Sequence, residues 1–467
     1  MQMKEFDLAV IGGGIGGYVA AIKASQEGKA TVLIERKETV GGTCLNYGCI
    51  PTKAILKSIL SLNEAKTLGV FGIVGVDPEK IELDLDKVQE RKELIIKQLT
   101  IGGVSGLLKK NGVTVMTGTA SFMDPYTLNI EGELLKAENF VIATGSEVFI
   151  PPIPVEGDSQ ILTSSDVLDM REVPSHTVVI GGGAIGIELS YILHHLGSNV
   201  DVMEMMPNIL PRIDEEVSDQ AALTLRSLGI GIHTGAKVEK IVDNTVHYES
   251  NGEEHSIESN AVLMAVGRVP STEGLNIDAA GIKMDGKAIW VDEHMRTSQP
   301  HIYATGDVNG KVMLAHTASS ESLVAVENIL GCETIMDYRF IPQCIYLDPE
   351  IAAVGMTEKE AREAYGDRVE VGRFPLIANG KALIEGKSEG FAKVVVDRGS
   401  GEIFGFHMLG IHSTDMITEV AIAMSMEATA DLVAAAIHPH PTISEVIPET
   451  FHSAIGRAIH FYNPKPD

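Results

Sequence analysis

A chain of 467 residues, 44% of them hydrophobic, has material for about three full-sized domains with their own cores. A formal charge of −27 excludes a nucleic-acid backbone as the main partner, because that partner demands clustered Lys and Arg. Four cysteines exclude a secreted disulfide framework, and no apolar run is long enough to span a bilayer. The N-terminus passes from Met-Gln-Met-Lys-Glu-Phe straight into strand-like residues 7–11 without a signal-peptide layout, so the expected location is the cytoplasm.

Residues 8–11 are an apolar run ending in Gly12-Gly-Gly14-Ile-Gly-Gly17, followed by a helix-like stretch through Ala24 and by Thr31-Val-Leu-Ile-Glu35. Strand, glycine turn, helix, strand and acid form a dinucleotide fingerprint. Gly12 permits the tight turn, Gly14 lets backbone approach a pyrophosphate, and Gly17 allows close helix packing. Glu35 is spaced to accept from two ribose hydroxyls.

Residues 41–53 then place Cys44 and Cys49 five positions apart, with Asn46 and Gly48 between them and Pro51 just after. Five helical residues rise roughly 7.5 Å, beyond the roughly 7 Å Cα separation that a disulfide tolerates. A bridge therefore requires distorted backbone. Asn46 and Gly48 tolerate unusual dihedrals, and Pro51 lacks the N–H of a helical ladder. Such a bridge reads as a redox switch rather than a staple. The alternatives are inert buried thiols or a metal site, although no further Cys or His lies close by for metal. Cys332 and Cys344 are expected as free thiols.

Residues 83–109 are rich in charge and predict a long exposed helix. Pro151, Pro152 and Pro154 mark a crossing between domains. The fingerprint then recurs: residues 178–180 lead into Gly181-Gly-Gly183-Ala-Ile-Gly186 and on to Val200-Asp-Val-Met-Glu204. Positions 12, 14, 17 and 35 all repeat at an offset of 169, which chance explains poorly. Each copy closes alike, with Phe140-Val-Ile-Ala-Thr-Gly145 and Ala261-Val-Leu-Met-Ala-Val-Gly267. Two dinucleotide sites imply two different cofactors, the first adjoining the cysteines.

Pro300-His-Ile-Tyr-Ala-Thr-Gly306-Asp307 is another apolar strand ending in Gly-Asp, a pair common in ordinary turns. From Pro342 the texture changes to short alternating segments at 351–354, 390–396 and 403–408, then an apolar helix at 416–426, an α+β pattern without a phosphate loop. Near the end stands His438-Pro-His440-Pro-Thr-Ile-Ser-Glu445. Thr442 and Glu445 have capping-box spacing, which accounts for Glu445 without chemistry. A redox disulfide nevertheless needs a base, and a histidine held by a carboxylate is the usual solution.

Taken together, Gly-Gly-Thr-Cys44-Leu-Asn-Tyr-Gly-Cys49-Ile-Pro-Thr-Lys53, the paired fingerprints, Ala304-Thr-Gly306-Asp307 and His440-Pro-Thr-Ile-Ser-Glu445 resemble the flavin-dependent pyridine nucleotide-disulfide oxidoreductases. The likeness runs end to end and is nearest to the branch that oxidises dihydrolipoamide. It implies an α/β chain with two Rossmann-like domains and a C-terminal α+β dimerisation domain. The FAD-binding domain would take 1–147 and 271–341, the NAD-binding domain 148–270, and the dimerisation domain 342–467.

The resemblance implies FAD in the first site, with Glu35 on its ribose, Asp307 and Ala315 near its ribityl and pyrophosphate part, and Lys53 near the ring, paired with Glu188. It implies NAD in the second; Glu204 would repel a 2′-phosphate, and Met205-Met206 follow where an arginine would be wanted. Further cofactor contacts are implied at Thr43, Ala120, Thr144, Gly145, Val238 and Gly267, and no metal.

It makes Cys44 the thiol that exchanges with substrate and Cys49 the one against the flavin, with His440 as base oriented by Glu445. Electrons would pass from Cys49 to FAD and on to NAD. The histidine would come from the other subunit of a homodimer, and the substrate would be lipoyl groups on the acyltransferase (E2) component of a 2-oxo acid dehydrogenase complex. Ser322 stands where relatives often carry Gly, and His438 is a rival base. A glutathione-type reductase is the alternative, although Thr52 stands where those carry Lys. A mercuric reductase would add a C-terminal cysteine pair. A flavin-dependent oxidase or peroxidase would use a single redox cysteine, and an assembly subunit would need no chemistry.

Overall fold

The apolar runs at 8–11 and 31–35 are β-branched and leucine-rich, and both become strands buried on two faces, as the centre of a parallel sheet requires. A computed structural model describes residues 4–462. The chain divides into two compact units: Met1–Pro151 with Leu162–Glu172 and Gly267–Asp337, and Pro152–Ile161 with Val173–Val266 and Tyr338–Asp467.

In the first unit, β1 (Lys4–Ile11), β2 (Thr31–Glu35), β3 (Thr114–Thr117), β4 (Ala120–Asp124), β5 (Thr127–Ile130) and β6 (Glu133–Ile142) form a sheet of order β3-β2-β1-β6-β5-β4. The strand Ile302–Ala304 adds to β6 in parallel. β1 runs parallel to both β2 and β6, so the glycine turn after β1 and Glu35 at the end of β2 emerge at the same carboxyl edge. α1 (Ile15–Gln26) turns Ala20, Ala21 and Ala24 inward and packs on the helix Ala315–Ile329. Ser322 fits this contact: its hydroxyl donates to the Ala318 carbonyl at 2.8 Å and meets Thr305 Oγ1 at 3.1 Å.

α2 (Gly42–Tyr47) and α3 (Cys49–Lys66) follow. The predicted exposed helix at 83–109 is α4 (Leu85–Lys97), continued by a π-helical stretch at Gln98–Ser105 and a short helix at Gly106–Lys110. It is not exposed throughout. Gln89 and Lys92 are buried, with Lys92 Nζ donating to the Leu168 carbonyl at 2.9 Å and to Asp169 Oδ1 at 2.6 Å. Charge-rich composition conceals this face because the lysine stem buries while its head is paired.

In the second unit, β7 (His176–Ile180), β8 (Asn199–Glu204), β9 (Gly231–Thr234) and β10 (Ala261–Met264) run parallel in the order β9-β8-β7-β10. α5 (Ala184–His195) follows the second glycine turn, and α6 (Glu215–Ser227) starts from Asp214 as its cap. β11 (Gln343–Ile345), β12 (Ile351–Gly355), β13 (Val369–Pro375), β14 (Phe391–Asp397) and β15 (Ile403–Leu409) make an antiparallel sheet of order β11-β12-β15-β14-β13. β15 is buried along its whole length rather than alternating, because the sheet is covered. α7 (Ser413–Ser425) and α8 (Val446–Ala454) pack with it around Phe374, Val394, Phe406, Ile417 and Phe451.

A buried knot of charge ties Asp214, at the start of α6, to this sheet. Lys393 Nζ, on β14, meets Asp214 Oδ1 at 2.7 Å, Glu358 Oε2 at 2.8 Å and Glu216 Oε2 at 3.1 Å. Among the described residues no helix is long and apolar enough to cross a membrane.

Candidate active site

The two glycine turns have the same construction. A Cβ on Gly12 would stand 2.3 Å from the Ala143 carbonyl oxygen, and one on Gly181 2.4 Å from that of Ala265. Both residues also have positive φ, so no other residue fits there. A Cβ on Gly17 would collide with the Gly12 oxygen at 1.7 Å, and one on Gly186 with the Gly181 oxygen at 1.9 Å. Gly14 and Gly183 differ. Around Gly183 nothing lies within 4 Å, and around Gly14 only Gly42 Cα at 3.7 Å. In each turn the first glycine lets the backbone pass the end of a neighbouring strand, the last lets the helix close on the turn, and the middle one leaves open backbone of the sort a pyrophosphate approaches.

The acids face those turns. Glu35 Oε2 accepts from the Gly13 N–H at 2.6 Å and its Oε1 from the Lys37 N–H at 2.9 Å. Glu204 repeats this with Gly182 at 2.7 Å and Met206 at 2.7 Å. Each carboxylate has about four acceptor positions and uses two, which leaves capacity for a ribose diol. Thr317, at the start of the Ala315 helix, is buried and its Oγ1 has no partner among the described residues. An orphaned hydroxyl at a helix N-terminus in the first unit fits a bound polar group there. The residues present therefore suit a dinucleotide at each turn.

The cysteines sit where α2 breaks. Gly48, at φ −147° and ψ −111°, leaves helical geometry, and α3 restarts at Cys49. Pro51 falls in the first turn of α3, where an N–H has no helical partner to lose. Asn46 contributes differently from expectation. It stays helical, and its side-chain amide donates to the carbonyls of Gly42 at 2.9 Å and Val40 at 3.2 Å, so the break belongs to Gly48 alone. Cys44 and Cys49 are unbridged thiols joined by a hydrogen bond. That bond, and then burial, push the Cys44 thiol up. Neither Cys332 nor Cys344 is in a disulfide, as expected.

His440 and Glu445 come together in the second unit. His440 Nδ1 lies 2.9 Å from Glu445 Oε1, while Oε2 of the same carboxylate accepts from the Thr442 N–H at 2.9 Å. The capping contact and the contact with His440 are therefore both made, one on each oxygen. Burial alone would raise the Glu445 carboxyl, but the Thr442 amide and His440 outweigh it and hold it below its ordinary value. His440 is 79% exposed in its side chain, which leaves Nε2 accessible. His438 is engaged elsewhere, with Nε2 at 2.7 Å from Glu419 Oε1 and Nδ1 at 3.0 Å from the Ala436 carbonyl.

Other expected contacts are dispersed over these elements. Thr43 lies on α2, Lys53 on α3 and Ala120 at the start of β4; Thr144 Oγ1 donates to the Ser271 carbonyl at 2.7 Å, and Gly145 and Gly267 have positive φ. Val238 lies on the strand Lys237–Val242, and Glu188 on α5 accepts from the Tyr346 N–H at 2.9 Å. Sequence reasoning missed Ser146, Arg268 and Glu321. Ser146 Oγ donates to Asp307 Oδ2, and Arg268 Nε donates to Ser146 Oγ at 2.7 Å. Fully buried Glu321 accepts from the Gly306 N–H at 2.6 Å, fixing the Gly-Asp turn. The one available signal was an acid at 321 on the same helical face as Ala318, Val324 and Ala325.

Residues 6–322 match the family model described as pyridine nucleotide-disulphide oxidoreductase, and residues 341–451 match its dimerisation domain. A dihydrolipoyl dehydrogenase of Bacillus subtilis (strain 168) is 41% identical over 478 residues, covering 98% of this chain and 99% of the relative. That of Thermus scotoductus (strain ATCC 700910 / SA-01) is 41% identical over 472 residues, covering 99% and 100%. Among solved structures, the Cu(II) complex of HOCl-induced flavoprotein disulfide reductase RclA from Escherichia coli matches with a TM-score of 0.85 at 27% identity, covering 96% of this chain and 99% of that one. Paired glycine turns, a broken helix carrying two thiols and these matches lead to one assignment: the chain belongs to the pyridine nucleotide-disulphide oxidoreductase family.

Proposed function

We propose that the chain oxidises dihydrolipoamide to lipoamide and passes the electrons to NAD, as a dihydrolipoyl dehydrogenase with FAD as its flavin. The observation that carries this is the thiol pair at Cys44 and Cys49, held across a one-residue helix break in the same unit as the first glycine turn. Near-full-length relatives of that name support it. FAD takes the first site, with Glu35, Thr43, Lys53, Ala120, Thr144, Gly145, Asp307 and Ala315 around it. NAD takes the second, with Gly183, Glu204, Val238 and Gly267.

The thiol chemistry belongs to the protein. With Cys44 and Cys49 bridged, His440 Nε2 removes a proton from one substrate thiol, and Glu445 on Nδ1 holds the ring for it. The substrate thiolate attacks Cys44 Sγ, the Cys44–Cys49 bond breaks, and Cys49 leaves as thiolate. The second substrate thiol then attacks the substrate sulfur of that mixed disulfide, closing lipoamide and releasing Cys44. Two cysteines are reduced as one dithiol is oxidised. Bound FAD supplies the two-electron chemistry that links the dithiol to the nicotinamide.

The domain reading follows the family: FAD-binding at 1–147 with 271–341, NAD-binding at 148–270, and an interface domain at 342–467. A homodimer whose histidine serves the partner's disulfide, lipoyl groups of an acyltransferase as substrate, and a cytoplasmic location complete the proposal. The test is NADH formation from dihydrolipoamide by wild type, Cys44→Ser and His440→Gln. Both variants are expected to lose at least about 100-fold in kcat; full rates in both would remove the thiol-exchange mechanism.

A further inference from the structure

Ser146–Val148 and Arg268–Pro270 pair as a short antiparallel ribbon, which brings together two side chains 122 positions apart. The largely buried Arg268 grips Ser146 at two points, Nε donating to Oγ at 2.7 Å and Nη2 to the carbonyl oxygen at 2.7 Å. Ser146 Oγ donates in turn to Asp307 Oδ2, and Arg268 Nε stands 4.0 Å from that same oxygen.

Proton directions along this chain are fixed. A guanidinium only donates and a carboxylate only accepts, so the hydroxyl between them must accept from Arg268 and donate to Asp307. That sets the Ser146 rotor and pins one oxygen of Asp307, leaving Oδ1 with no partner among the described residues. A carboxylate aimed at a dinucleotide also meets the negative charge of the pyrophosphate. A guanidinium behind it offsets that repulsion.

We propose that Arg268 and Ser146 are positioning residues that orient and charge-compensate Asp307 for the flavin dinucleotide. The inference rests on the reading that Asp307 meets bound FAD. A guanidinium suits this better than an ammonium, because Nε and Nη2 of one rigid fork meet the hydroxyl and the carbonyl of Ser146 together.

FAD release from the holoenzyme, followed by flavin fluorescence after dilution, tests this. Ser146→Ala and Arg268→Met should each release FAD about tenfold faster, with Arg268→Lys, which keeps the charge but loses the rigid fork, between Arg268→Met and wild type. In an Asp307→Asn background, Ser146→Ala should add nothing. If Arg268→Met does not fold, the serine variants carry the test alone. Wild-type release from Ser146→Ala alongside fast release from Asp307→Asn overturns the inference and leaves the cofactor reading intact. Wild-type release from Asp307→Asn sinks that reading and the inference together. Equal acceleration by Ser146→Ala with and without Asp307 assigns the effect to the fold, and also overturns it.

Discussion

Single carboxylates in this chain do two jobs at once, and the division is between their oxygens. Glu445 caps Thr442 with one oxygen and holds His440 with the other. Glu445→Gln can keep only one of these, since its NH₂ faces either a donor or the imidazole N–H; kcat for dihydrolipoamide oxidation should fall about 100-fold. Because the Glu445 carboxyl sits below its ordinary value, the arrangement is intact above the usual carboxylate range and is lost as pH falls through the depressed native value. Activity should therefore fall on the acid side as the Glu445 carboxylate is protonated, and Glu445→Gln should remove that acid limb; a variant that keeps it would remove the assigned role. Glu204 works the same way on Gly182 and Met206. Glu204→Gln should raise KM for NAD about tenfold and narrow the preference for NAD over its phosphorylated form, read as the ratio of kcat/KM values. An unchanged ratio would mean that the acid does not select the nucleotide.

At the scale of elements, local signals were readable and distant ones were not. The strand–turn–helix fingerprints were legible because every participant lies within about 25 residues and the glycines have steric duties that few other residues can meet. The break between the cysteines was legible for the same reason, except that Asn46 turned out to brace α2 rather than bend it. Arg268 with Ser146, and Lys393 with Asp214 at a separation of 179, are partnerships that only tertiary pairing creates. The second of these is a strong structural constraint. Lys393 is nearly fully buried against three carboxylates, so Lys393→Met strands buried Asp214 without its cation, while Glu358 keeps Arg362 and Arg373, and should destabilise the protein by about 3–5 kcal/mol in denaturant unfolding. Burial works against charge on all three, yet their mutual bonds hold Asp214 and Glu358 low and Lys393 high. The contribution is present above the ordinary carboxylate range and lost as pH falls through the depressed acids. It is also lost as pH rises through the raised lysine. Lys393→Met should flatten both limbs of the stability profile, and a variant as pH-sensitive as wild type would dissolve the assignment.

At the scale of the whole molecule, the thiols and the base belong to different compact units, and the chain carries a family dimerisation domain. Large apolar side chains of that domain, among them Ile377, Ile384, Leu432 and Ile437, are exposed in the single chain, as a surface awaiting a second copy would be. The proposal that each site draws its cysteines from one subunit and its histidine from the other has an arithmetic consequence. Cys44→Ser and His440→Gln, each inactive alone, are dissociated, mixed in equal amounts and allowed to re-form dimers. Half of the dimers are then hybrids. In each hybrid one site combines both defects, while the other pairs intact Cys44 with intact His440. Activity should return to about a quarter of wild type. If each subunit instead used its own histidine, every site in the mixture would keep one defect and no activity would return. The two arrangements thus differ between a quarter and nothing, in an assay that requires only NADH absorbance and a confirmed exchange of subunits.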